Sequence, residues 1–293
     1  MNLNKIFKIN GVNIPNSFYI LMLDNDILGI VSNIDKQYNG KTRLIIAVEN
    51  NQNLIVRKLI ERGANIEALD LSGKTPLIIA VENNNLAIVR ELLERGANKE
   101  VSDLFGKTPL IIAVENNMYT IVRELIDKGA NKEALDNRKP PLIISIENNN
   151  LSIVRKLLEK GANIEAQYNG KIPFIIAIEN NRYSIIKEFL NYNADPNVID
   201  INSGDSALYI AVKSRMTPIV ELLLNRGANL LFRNVDISKN GGKTIFKYII
   251  DNDLIEIMNL RKFDNVKSKL YLTKIAREKN LPTELEEIIK NLL

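Results

Sequence analysis

Apolar and polar positions along this chain fall into blocks that recur. In the stretch from Gly73 to Phe105, Leu77-Ile78-Ile79-Ala80-Val81 is wholly apolar and gives way to Glu82-Asn83-Asn84. Leu86, Ile88, Val89, Leu92 and Leu93 follow at helical spacing, with Arg90, Glu91, Glu94 and Arg95 between them. The first block predicts a short helix buried all round, the second an amphipathic helix with an outward charged face. The boundaries carry signals of their own. Thr75-Pro76 is a helix start: the hydroxyl can cap free N–H groups and proline suits the first helical position. Asn83-Asn84 and then Gly96 predict stops in the left-handed conformation. Periodicity alone leaves a strand open for Leu77–Val81, but Thr-Pro in front and a helical partner behind favour helix.

This block is one of six. Gly40-Lys-Thr, Gly73-Lys-Thr-Pro and Gly106-Lys-Thr-Pro recur at about 33 residues, a period that fits helix pairs joined by turns. Further units begin at Arg138, Gly170 and Gly204. Gly-Lys-Thr-Pro-Leu, the pair Ile88-Val89 and the run Leu92 to Asn98 together resemble the ankyrin repeat, and the resemblance covers residues 37 to 232. It implies an all-α repeat solenoid of six full repeats between degenerate capping units. The expected organisation is an N-terminal segment and cap over 1–36, the array over 37–241, and a degenerate repeat with a helical cap over 242–293.

The units depart from one another in ways that predict local differences. Arg43 replaces the helix-start proline of the first unit. The fourth is a residue short, and Lys139-Pro140-Pro141 predicts an altered hairpin and a lost cap. Asn193 replaces the glycine that ends the second helix of the fifth, and Ser206-Ala207 replaces Thr-Pro in the sixth, where Lys213 stands for the repeated Glu. The family's usual histidine after Thr-Pro-Leu is absent; Ile45, Ile78, Ile111, Ile143 and Ile175, then Tyr209, occupy its place. Apolar packing is expected instead of a hydrogen-bonded network. At the ends, Ile20–Val31 reads as a degenerate cap and Gly242-Lys243-Thr244 restarts the motif. Leu281, Leu285, Ile288, Ile289 and Leu292 share one helical face, which reads as a closing cap. Leu281-Pro282-Thr283-Glu284-Leu285 also resembles the opening of an F-box. Such an opening ends the PRANC-type domain paired with ankyrin arrays in poxviruses and some intracellular bacteria. That resemblance implies docking to a ubiquitin-ligase adaptor through Leu281, Pro282, Leu285, Ile288 and Ile289, in a host cytoplasm.

Composition narrows the chemistry. The 293 residues include no His and no Cys. Imidazole bases, thiolate nucleophiles and the usual zinc ligands are therefore excluded. No catalytic motif, cofactor or metal site is expected, and the chain reads as non-enzymatic. No run of about 20 apolar residues crosses a bilayer, and the start is too interrupted for a secretory signal; a cytoplasmic protein is expected. The net charge of +4 is mild. Arg57, Arg90, Arg123 and Arg155 tint the second helices basic, but Glu91, Glu94 and Glu124 interleave with them, so no nucleic-acid partner is expected.

The resemblance implies a protein partner held by the hairpin tips and the exposed side of the first helices. The tip positions are Tyr38, Asn39 and Lys41; Leu71, Ser72 and Lys74; Leu104, Phe105 and Lys107; Lys139; and Tyr168, Asn169 and Lys171. The helix positions are Glu49-Asn50, Glu82-Asn83, Glu115-Asn116, Glu147-Asn148 and Glu179-Asn180. The charged rows read either as partner contacts or as mutual, solvated pairs. The aromatic tips Tyr38, Phe105 and Tyr168 are the strongest candidates for binding energy; packing on the adjacent hairpin is the competing role, above all for Leu71 and Leu104.

Overall fold

The computed structural model describes residues 6–9, 12–15, 34–37, 39–137 and 139–229. Ile20–Val31, Tyr38 and everything from 230 onward, including Leu281, Pro282, Leu285, Ile288 and Ile289, lie outside the described residues. The chain divides into two units, Met1–Asn163 and Ile164–Leu293.

Helix pairs build the first unit: α1 (Arg43–Glu49) with α2 (Asn53–Glu61), α3 (Pro76–Glu82) with α4 (Leu86–Glu94), α5 (Pro109–Glu115) with α6 (Tyr119–Asp127), and α7 (Pro141–Glu147) with α8 (Leu151–Glu159). The second unit contains α9 (Pro173–Glu179) with α10 (Tyr183–Asn191), and α11 (Ala207–Lys213) with α12 (Thr217–Asn225). The array is an all-α repeat solenoid. One feature was not anticipated: β1 (Ile6–Ile9) and β2 (Val12–Pro15) form an antiparallel ribbon in which Ile6 faces Pro15 and Ile9 faces Val12. The intervening sequence is Asn10-Gly11, the strongest short-range signal for a two-residue hairpin loop.

Helices of seven and nine residues would not persist alone, because nucleation is costly and few bonds follow it. Packing holds them. Leu77, Ile78, Ile79, Ala80 and Val81 are all buried, so the first helix of the unit is enclosed on every side. Ile88, Val89 and Leu92 of its partner are buried too, while Leu86 and Leu93 are half-buried. Each large side chain so enclosed contributes about 1.5–3 kcal/mol. Ile45, Ile78, Ile111, Ile143 and Ile175 are completely buried, so apolar packing does stand in the place of the histidine. In the second unit the aromatic pair Phe174 and Phe189 meets edge to face at 5.9 Å.

Caps follow the local sequence. The hydroxyls of Thr42, Thr75 and Thr108 accept the N–H of Ile45, Ile78 and Ile111 at 3.3, 3.3 and 3.4 Å. Ser206 does the same for Tyr209 at 3.2 Å, and Thr42 keeps its role although Arg43 follows it. Pro140 gives α7 no side-chain cap, as expected, and Ile172 leaves α9 in the same state. After the first helices the chain turns through left-handed Asn51, Asn84, Asn117, Asn149 and Asn181. Asn193 takes φ +60°, serving where other units use glycine.

Hydrogen bonds between repeats run along the loops that follow the second helices. In Asn98-Lys99-Glu100 the Asn98 Oδ1 accepts the Glu100 N–H at 3.0 Å, closing a local turn. The Glu100 carboxylate in turn accepts the N–H of Asn131, one repeat on, at 3.0 Å. Glu67 serves Asn98 at 2.7 Å, and Glu133 serves Asn163 at 2.9 Å. In the second unit Asn197 serves Asn229 at 2.7 Å. Asn65–Glu67, Asn98–Glu100 and Asn131–Glu133 thus each brace their own turn and tie down the next repeat.

Candidate functional site

The hairpins that carry the tips come in two lengths. In the second and third repeats Asp70 and Asp103 turn their carboxylates back on the loop. Asp70 Oδ1 accepts the N–H groups of Ser72 and Lys74, both at 2.8 Å; Asp103 Oδ1 accepts those of Phe105 and Lys107, both at 2.9 Å. The fourth hairpin is shorter: Asp136 and Lys139 exchange backbone bonds directly. The fifth is shortened alike, with Tyr168 paired to Lys171. Its Asn169-Gly170, again the two-residue loop sequence, is the signal that could have shown this.

Length decides what covers each tip. Gly73 has φ +69°, and a Cβ built there would lie 2.9 Å from Cδ2 of Leu104 in the next hairpin. Leu71 crosses Gly40 in the same fashion. At Gly106, φ +80°, a Cβ would meet nothing within 4 Å among the described residues, and Asn137 follows Asp136 where leucine follows Asp70 and Asp103. Leu71 and Leu104 therefore do lie against the adjacent hairpin, yet they remain 80% and 74% exposed, and Phe105 is 78% exposed. Tyr168 is half-buried, and Asn39, Ser72 and Asn169 are exposed.

The charged rows are joined to each other. Within each of the first five repeats the tip lysine reaches the carboxylate that ends the first helix: Lys41 to Glu49, Lys74 to Glu82, Lys107 to Glu115, Lys139 to Glu147 and Lys171 to Glu179, at 2.5–2.8 Å. The hydrogen bond from Glu82 raises the pKa of Lys74, against an opposing desolvation, and Glu115 acts on Lys107 in the same sense. The neighbouring asparagines are engaged as well. Asn50, Asn116 and Asn180 donate their amides to carbonyls of their own helices at 2.7, 2.9 and 2.9 Å. Asn83 and Asn148 reach the preceding repeat, donating to the Val48 carbonyl and the Glu115 carbonyl, each at 3.2 Å. In these repeats the tip and helix-end charges are thus paired and the amides engaged, while Leu71, Leu104 and Phe105 of the first unit stay exposed at their tips.

On the second helices, Arg57 pairs with Glu91 at 3.5 Å and Arg90 with Glu124 at 2.8 Å. Asp127 receives both Lys156 and Lys160, at 2.8 and 2.9 Å. Hydrogen bonds from those two lysines, Lys156 foremost, lower its pKa to about 2. Among the described residues no cluster of acids could hold a metal ion, and no helix is long and apolar enough to cross a membrane.

A family model described as "Ankyrin repeats" matches three times, over residues 13–103, 97–168 and 174–260. The chain belongs to the ankyrin-repeat family. It is also similar to the solved ankyrin repeat domain of Bcl-3, a member of the IkappaB protein family. That likeness has 28% identity and a TM-score of 0.63, and covers 75% of this chain and 99% of that one. No curated protein matches it. Arrays of this family are protein–protein interaction modules, and the paired charges and exposed tips described above belong to such a module.

Proposed function

We propose that this ankyrin protein is a non-catalytic binding module that takes a protein partner on the hairpin tips of the unit Met1–Asn163, with the exposed side of the first helices as the wall beneath. One observation carries the reading. Leu71, Leu104 and Phe105 stand 80%, 74% and 78% exposed above charges that are already paired within their own repeats. Exposed apolar and aromatic side chains in a row are what interface hot spots are made of, and surface ion pairs of this kind contribute little by themselves. Within that unit the paired rows Lys41–Glu49 through Lys139–Glu147 are proposed as the polar surround. The test begins with a photo-crosslinking side chain at Phe105 in cells, to identify the partner by mass spectrometry. Leu71→Ser, Leu104→Ser and Phe105→Ser together should then leave the helical circular dichroism unchanged and weaken that partner's binding by roughly a hundredfold. Unaltered affinity in a folded triple variant refutes the reading.

The resemblance of Leu281–Leu285 to an F-box opening supports a second use of the same array, as the substrate-recruiting arm of a ubiquitin ligase working in a host cytoplasm. Leu281, Pro282, Leu285, Ile288 and Ile289 would dock the ligase adaptor. Co-purification of that adaptor with residues 1–293 and not with 1–280 is the expected result; equal recovery excludes the adaptor role.

A further inference from the structure

The sixth repeat reverses the charge order that the other five share. Lysine at the tip and glutamate eight residues later pair in each of them. In the sixth, Asp205 holds the lysine's place and Lys213 the glutamate's. This reversed couple does not close. Among the described residues neither side-chain charge forms an ion pair or hydrogen bond; Lys213 lies instead over the Tyr209 ring, 5.8 Å from its centroid. The reversal coincides with a cleft of about 660 Å³ in the second unit, lined by the Lys171–Glu179 pair, Asp200, Asn202, Ser203, Asp205, Ile210, Lys213 and Ser214. Asp200 is not available to a ligand in the same sense. It is buried and accepts the Asn202 N–H and the Ser203 hydroxyl at 3.1 and 2.9 Å.

We infer that this cleft is a second binding site, for a protein segment that carries an acidic and a basic side chain close together. The incoming carboxylate goes to Lys213 and the incoming ammonium or guanidinium to Asp205, with the Ser214 side chain beside its backbone. Charge complementarity sets the occupant. A simple anion would meet Glu179, Asp200 and Asp205 along with the lysines, and a lone cation would meet Lys171 and Lys213. A segment bearing both signs satisfies both open charges and leaves the Lys171–Glu179 pair in place. Opposed charges of this kind confer discrimination between partners more than raw affinity. The inference rests on the reading that the array binds protein, and gives that array a site where its copied units stop being alike.

The test uses the full chain and short synthetic peptides of alanine, serine and glycine that carry adjacent Glu and Lys, two Glu, or two Lys. In two-dimensional amide spectra the Glu/Lys peptide should shift resonances of residues 200–214, and should bind roughly tenfold more tightly than either single-sign peptide. The variant Asp205→Lys/Lys213→Glu restores the order of the other repeats. It should fold at least as stably, close its own pair, and lose the preference for the mixed peptide. Equal affinities for the three peptides, no measurable binding, or a preference that survives the double variant would each overturn the inference. Failure of the tip reading is separate, since it shows in the Leu71/Leu104/Phe105 variant with Asp205 and Lys213 intact.

Discussion

Single residues in this array act through backbone conformation first and neighbours second, and the glycines separate the two. Gly96 has φ +85° with nothing within 4 Å of a Cβ, whereas Gly73 has both a positive φ and the Leu104 side chain above it. Gly96→Ala should therefore cost about 1 kcal/mol, the strain of a left-handed alanine. Gly73→Ala should cost more, and adding Leu104→Ala should bring the penalty back to that of Gly96→Ala. Urea denaturation of the variants checks the ordering. Thr75→Ala should cost about 1 kcal/mol by the same measurement, since it removes the cap on Ile78. Signals at this scale were legible because each acts within three or four residues. Thr-Pro, the paired asparagines and Asn193 could all be read without knowing what lay beside them. The Lys–Glu pairing is not legible in the same way, because eight residues from hairpin to helix end is no helical spacing and only the folded geometry joins them.

Between elements, α7 is the weak member of its unit. It has no side-chain cap, and Ser145 replaces the alanine of its counterparts and bonds back to the Leu142 carbonyl at 2.7 Å. Amides of 141–147 should exchange faster with solvent than those of 76–82 or 109–115, and Pro140→Thr with Ser145→Ala should narrow the gap and stabilise the chain by about 1 kcal/mol. The clamp of Asp127 on Lys156 and Lys160 links α6 to α8. Its carboxyl is held at about 2 against the ordinary 3.8. A depressed carboxylate stabilises the fold above its unfolded pKa and loses that contribution as pH falls through the folded one. Asp127→Asn should thus flatten the acid limb of stability between about pH 4 and 2, and cost less than about 1 kcal/mol at neutrality because the pair is exposed. The Asn-x-Glu ties between repeats are not legible in the sequence. The first four units carry Asn-x-Glu at the same place, so the sequence pattern has no means of saying which copy a carboxylate will reach.

At the scale of the molecule, the tips and the cleft should answer differently to salt. Partner binding through Leu71, Leu104 and Phe105 should change less than about threefold between roughly 0.05 and 0.5 M NaCl, because the nearby lysines are already neutralised. Calorimetric titration at several ionic strengths reads this directly, and a steep slope would mean that the lysines abandon their glutamates for the partner. Near-identical modules bring a hazard that no single repeat reveals: a guest that fits one fits the next, and could settle a whole period out of step. In the unit Met1–Asn163 the shortened fourth hairpin breaks that translational degeneracy. Within that unit the change of hairpin length is a landmark, so a guest spanning its repeats has a single frame in which to lie.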